Sequence, residues 1–175
     1  MRGIFAVVVW LWACVPGWAG ITDISLPSID GGDLRLSEMA GQPILIVNTA
    51  SQCAFTDQYR DLQALYDQYR DDGLVVIAVP SDDFRQELDD AEAVRAFCEM
   101  TYGIDMPMTD ILSVKGAGAH PLYLQIKAQS GFVPRWNFNK VLIAPDGTVA
   151  ATWGSRTAPM SRDIRRAVEA MLPQG

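Results

Sequence analysis

The sequence is poor in the residues that metal and acid–base chemistry most often use. It holds one histidine, His120, and three cysteines among 175 residues. One imidazole and scattered thiols make no ligand cluster, so neither a resident metal nor another bound cofactor is expected. No Cys-x-x-Cys pair occurs. The residue three after Cys53 is Thr56, so dithiol exchange has no local second sulfur. No apolar stretch reaches the roughly 20 residues that a membrane-crossing helix needs, and repeats and low-complexity segments are absent. Positive charge is also scarce. Against 21 Asp and Glu stand 14 Lys and Arg, a net charge of −7 that repels phosphate backbones and argues against a nucleic-acid partner.

What is present begins with an unusual first segment. Met1-Arg2 precedes an unbroken apolar run from Ile4 to Val15, then Pro16-Gly17-Trp18-Ala19-Gly20. A positive start, a short apolar run and small residues two apart describe a secretory signal peptide. Residues 1–19 are expected to be removed, leaving a single domain, 20–175, in the periplasm or outside the cell. A second reading makes Cys14 a lipidated first residue, the one route to a membrane, although Trp12 fits that pattern poorly. Export leaves Cys53 and Cys98, and two thiols in an oxidising compartment invite one disulfide, structural or catalytic.

Periodicity outlines the fold. Ile44-Leu45-Ile46-Val47-Asn48 reads as a strand buried on both faces. Phe55, Tyr59, Leu62, Leu65, Tyr66 and Tyr69 then recur at helical spacing, up to Gly73. Leu74 to Val79 forms a second buried strand closed by Pro80, and strand–helix–strand at these lengths is a right-handed parallel crossover. Asp89-Asp90 open a helix with Val94, Phe97 and Cys98 on one face. Pro145-Asp146-Gly147 joins a hairpin, and Ser161 caps a last helix with Ile164, Val168, Met171 and Leu172 as its apolar stripe. These elements predict an α/β domain of thioredoxin type, a central mixed sheet flanked by helices.

Within that outline Cys53 lies where a buried strand hands over to a helix. A helix N-terminus presents unpaired N–H groups and a positive dipole end, which favour the nucleophilic thiolate over the thiol. Asn48-Thr49-Ala50-Ser51-Gln52-Cys53-Ala54-Phe55-Thr56 resembles the glutathione peroxidase signature, Asn-Val-Ala-Ser-x-Cys-Gly-x-Thr. Val79 to Glu87 resembles that family's Phe-Pro-x-Asn-Gln-Phe-Gly-x-Gln-Glu segment with one residue missing. Phe97-Cys98, Tyr102-Gly103-Ile104, His120-Pro121-Leu122-Tyr123 and Trp136-Asn137-Phe138-Asn139-Lys140 match later blocks.

The resemblance implies a catalytic tetrad of Cys53, Gln86, Trp136 and Asn137, in which amide and indole donors stabilise charge as a thiolate attacks a hydroperoxide. Cys98 stands where the thioredoxin-dependent members carry their resolving cysteine. The resemblance therefore implies a sulfenic acid on Cys53, a disulfide to Cys98, and an external reductant, a thioredoxin-like protein or glutathione. If its helix holds Cys98 out of bridging range, that helix must open locally. The short Ser130–Trp136 segment further implies a monomer. His120 matches a non-catalytic position. Three departures stand out: Ala54 for glycine, Asp82-Asp83 for Asn-Gln, and the shortened loop before Gln86, and the last two bear on where Gln86 is placed. Two alternatives remain: an exported thiol–disulfide oxidoreductase, and a peroxide sensor or binding module with a Cys53–Cys98 disulfide.

Overall fold

A computed structural model describes residues 20–173 of the chain. The expected signal segment, residues 1–19 with Cys14, lies outside the described residues. A short hairpin, β1 (Ser25–Pro27) and β2 (Asp33–Arg35), precedes β3 (Ile44–Thr49), α1 (Gln58–Tyr69), β4 (Val75–Pro80) and α2 (Ala91–Tyr102). Then follow α3 (Pro121–Ser130), β5 (Lys140–Ile143), β6 (Val149–Trp153) and α4 (Arg162–Glu169).

The main sheet runs β4-β3-β5-β6. β3 and β4 are parallel, as the α1 crossover requires, while β5 is antiparallel to β3 and to β6. This is the expected thioredoxin-like arrangement. β3 is buried at every position, and its side chains alternate between two apolar layers. Leu45 and Val47 face Tyr59, Leu62 and Leu65 of α1 together with Val94, Ile164 and Val168 of α2 and α4. Ile44 and Ile46 face Leu122 and Ile126 of α3 and the N-terminal residues Ile21, Leu26 and Leu36. Leucines such as Leu45 and Leu62 are wholly buried, and truncating one to alanine costs about 2–5 kcal/mol.

Local signals set the boundaries. Asp90 caps α2 by accepting from the Ala93 N–H at 2.8 Å, and Gly103, with φ of 65°, ends it in a left-handed turn that glycine adopts without penalty. His120 caps α3, its Nδ1 accepting from the Leu122 N–H at 3.3 Å, with Pro121 at the first helical position. The sole histidine is structural, as expected. α3 and the β1–β2 hairpin go beyond the sequence reading. α3 carries no one-sided apolar stripe to announce it, and the hairpin strands are only three residues long.

One boundary differs from expectation. α1 begins at Gln58, not beside Cys53. Thr56 is the reason. Its hydroxyl accepts from the Cys53 N–H at 3.0 Å and donates to the Ala50 carbonyl at 3.2 Å. The chain therefore takes successive tight turns, Thr56 N–H to Cys53 O and Tyr59 N–H to Thr56 O, before the helix starts.

Candidate active site

The turns after β3 place Cys53 just past the end of that strand, two residues before Phe55, which lines a cleft. The residue is 8% exposed, and the Phe55 N–H donates to its Sγ at 3.4 Å. The donor at the sulfur is thus a turn amide, not the open end of α1. Ala54, which replaces a glycine of the signature, keeps a negative φ, so the substitution strains nothing there.

Gln86 arrives from the loop after β4 in spite of the missing residue. Its carbonyl accepts from the Gln52 N–H at 2.9 Å, which ties it to the segment carrying Cys53. Asp82 and Asp83 hold this shortened loop. Asp82 accepts from the Glu87 N–H at 3.2 Å, and Asp83 accepts from the N–H groups of Val114 and Lys115 at 2.6 and 3.0 Å. Arg85, where the family pattern has glycine, adopts a φ of 57°. A non-glycine residue in the left-handed region is strained by about 1–2 kcal/mol. Here the strain turns Gln86 toward its partner.

That partner is Asn137. Its Nδ2 donates to Gln86 Oε1 at 3.0 Å, while its own Oδ1 is buried with no hydrogen-bond partner. The loop carrying it is fastened from several sides. Asn48 and Asn139 donate to the Trp136 carbonyl at 3.0 and 2.8 Å, and the Ser155 hydroxyl donates to the Asn137 carbonyl. Phe138 also has a left-handed backbone, φ 59°, with its ring buried edge-on against Tyr59 at 5.4 Å. Trp136 leans on Phe84 at 5.4 Å and stays 40% exposed. It lines a cleft of about 660 Å³ with Phe55, Phe132, Val133, Arg135 and Arg156. The structure thus joins Gln86 and Asn137 directly, links both to the Cys53 loop, and sets Trp136 on the cleft wall.

Five sequence blocks, one fold and one clustered set of polar side chains converge with the comparisons. The glutathione peroxidase family pattern matches residues 21–127. The chain belongs to the glutathione peroxidase family. It is 38% identical over 157 residues to a glutathione peroxidase homolog BsaA of Halalkalibacterium halodurans, covering 87% of this chain and 99% of that protein. It is 37% identical over 159 residues to the hydroperoxy fatty acid reductase gpx1 of Synechocystis, covering 83% and 94%. Among solved structures, T. cruzi GPX1 superposes with a TM-score of 0.69 at 26% identity, covering 87% of this chain and 96% of that one. The protein is accordingly a thiol peroxidase of that family.

Cys98 does not line that cleft; it borders a smaller hollow of about 210 Å³ with Arg95, Glu99 and Met106. It is 1% exposed inside α2, and burial pushes its thiol up to about 11. Cys53 and Cys98 are both free thiols, so the fold stands without a bond between them. α2 is capped at both ends by Asp90 and Gly103. Any local opening must break those caps.

Three buried polar side chains escaped the sequence reading. Tyr59 counted there as one member of an apolar stripe, yet its hydroxyl is buried beside Thr49 and Cys98. Glu87 follows Gln86 and is 93% buried, the remainder being 7% exposed. Lys140 is fully buried, donating through Nζ to Gln58 Oε1 and to the carbonyls of Thr157 (2.7 Å) and Ser155 (3.5 Å). Desolvation lowers its amine to about 7. The signal for both charged residues was their place inside matched motif blocks; nothing in composition marked them as buried.

Proposed function

We propose that this peroxidase is exported and works through Cys53, Gln86, Trp136 and Asn137, with Cys98 resolving the oxidised sulfur. The Cys53 thiolate attacks one oxygen of a hydroperoxide, the O–O bond breaks, and the departing oxygen leaves as water or an alcohol once protonated. Sulfur retains the other oxygen as a sulfenic acid. Donors aimed at the sulfur and at the leaving oxygen lower this barrier because they need not reorganise. The Asn137 amide, the Gln86 amide and the Trp136 indole fill that role. The observation that carries the reading is the Asn137–Gln86 hydrogen bond on a loop tied by Gln86 to Gln52, beside the nucleophile.

Cys98 then attacks Cys53, forming a disulfide and releasing water. A thioredoxin-like protein, or glutathione, reduces that disulfide in solution, and no cofactor is bound. Substrates range from hydrogen peroxide to organic and lipid hydroperoxides. The apolar wall of Phe55, Phe132, Val133 and Trp136 supports the larger ones, as does the activity that names the Synechocystis relative. The opening run Ile4–Val15 supports export to the periplasm or the medium, and the short Ser130–Trp136 connection supports a monomer.

The test is peroxide consumption by the purified protein, coupled in parallel to a thioredoxin system and to glutathione. Faster turnover with thioredoxin, lost in Cys53→Ser, is expected. Unchanged turnover in that variant would end the reading.

A further inference from the structure

The Asn137 amide can serve the reaction only while the backbone that carries it stays fixed. Its carbonyl accepts from the Ser155 hydroxyl, on the loop that follows β6, and Ser155 Oγ in turn accepts from Asn139 Nδ2 at 2.9 Å. Ser155, Arg156 and Thr157 also line the cleft that Trp136 borders. What fixes this loop is a cation with no place in the tetrad. Lys140 opens β5 and is fully buried. Its Nζ donates to the Thr157 carbonyl at 2.7 Å, to the Ser155 carbonyl at 3.5 Å, and to Gln58 Oε1. Gln58 Nε2 donates to the same Ser155 carbonyl at 2.7 Å, which closes a ring of Lys140, Gln58 and Ser155. An ammonium has three N–H donors, and three acceptors stand around this one. Gln58 is the first residue of α1, the helix that follows the Cys53 turns. The ring therefore ties the nucleophile's side of the site to the loop that braces Asn137.

We infer that Lys140 is a positioning residue for the attack on peroxide: its ammonium holds the Ser155–Thr157 loop, and through the Ser155 hydroxyl that loop sets the Asn137 amide. The inference rests on the reading of Asn137 as a donor to the reacting atoms. None of the Lys140 side-chain hydrogen bonds goes to a tetrad residue, so its effect passes through Ser155. A buried polar network keeps its geometry only while every member is satisfied. A misplacement of about 1 Å at a reacting group costs up to about 10²-fold in rate. A lysine that merely braced the fold would add stability with no particular tie to Asn137.

Stopped-flow fluorescence of the full chain mixed with hydrogen peroxide gives the second-order rate of Cys53 oxidation. The measurement is made at about pH 6, where the Lys140 amine keeps its proton, with the melting temperature of each variant taken alongside. Lys140→Met should slow the step about 10-fold, and Asn137→Ala about 10²-fold. In the double variant the losses should not multiply. Adding Lys140→Met to Asn137→Ala should change the rate by less than about two-fold, while the melting temperature still falls as it does for Lys140→Met alone. Ser155→Ala should slow the step several-fold, and Ser155→Thr, which keeps the hydroxyl, should restore it. This second pair decides the question if Lys140→Met does not fold. Losses that multiply in the double variant overturn the inference, as does a parental rate in Lys140→Met or in Ser155→Ala. Equal slowing in the two Ser155 variants also overturns it, because the hydroxyl is then not the link. If Asn137→Ala alone reacts at the parental rate, the reading of that amide fails first, and the inference with it.

Discussion

The two sulfurs occupy opposite kinds of place. Cys53 rests in a turn after β3, with the Phe55 N–H directed at its sulfur and Phe55 itself on the wall of the larger cleft. Cys98 is enclosed within a capped helix, pressed against Tyr59 and apolar side chains. One environment keeps a little solvent contact and supplies an N–H donor. The other is 1% exposed, and its burial opposes ionisation of the thiol, although charged side chains such as Arg95 and Glu99 share a small hollow with it. In the proposed cycle the contrast separates the attack on peroxide from the resolving step.

The sharpest way to break this contrast is to remove the Cys53 thiol. Cys53→Ser should bring peroxide consumption to the background rate, and residual turnover through Cys98 would abolish the distinction. Next in size is Asn137→Ala, expected to lower the second-order rate with peroxide by about 10²-fold with the melting temperature tracked alongside; a loss only of stability would reassign that amide to the scaffold. Cys98→Ser should leave the first oxidation at its parental rate while turnover with a thioredoxin system collapses, which stopped-flow fluorescence and a coupled assay separate. If the coupled rate survives, the enclosed thiol is a bystander.

Two smaller effects sharpen the frame around the open site. Lys140→Met leaves the acceptors on Gln58 and Thr157 without their donor, costing about 1–3 kcal/mol in denaturant unfolding. It should also alter the pH dependence. The folded amine loses its proton near 7 and the unfolded one near 10.4, so in this window the unfolded chain binds more protons. Parental stability therefore rises from pH 7 toward 8.5, before Cys98 ionisation in the unfolded chain opposes it, and the variant should lack that rise. Smallest is Arg85→Gly, which relieves a left-handed φ of 57° and should add about 1 kcal/mol; a loss instead would show that the guanidinium, not the backbone, holds the loop.

Much of this was legible in the residues alone. The buried runs of β3 and β4, the stripe of α1, the Asp-Gly bracket around α2 and the hairpin turn all carry their period on the surface of the sequence. The start of α1 was not legible, because a single threonine hydroxyl bonding backward reshaped three residues. The shortened loop bore on where Gln86 lies, and two carboxylates and a left-handed arginine hold it against Gln52 and Asn137, contacts visible only in three dimensions. Glu87 and Lys140 look like ordinary surface charges until the packing around them is known, since burial of an ion depends on partners distant in the chain.

Phe138 has a consequence for how this protein can change over generations. Its ring wedges edge-on against Tyr59, and its backbone bends left-handed immediately after Asn137. Interior repacking near that ring therefore tilts the neighbouring amide, so a silent-looking drift in the hydrophobic layer becomes a catalytic phenotype. Lineages of this chain should vary freely along the outer helix faces while the Tyr59–Phe138 pair is inherited as one unit.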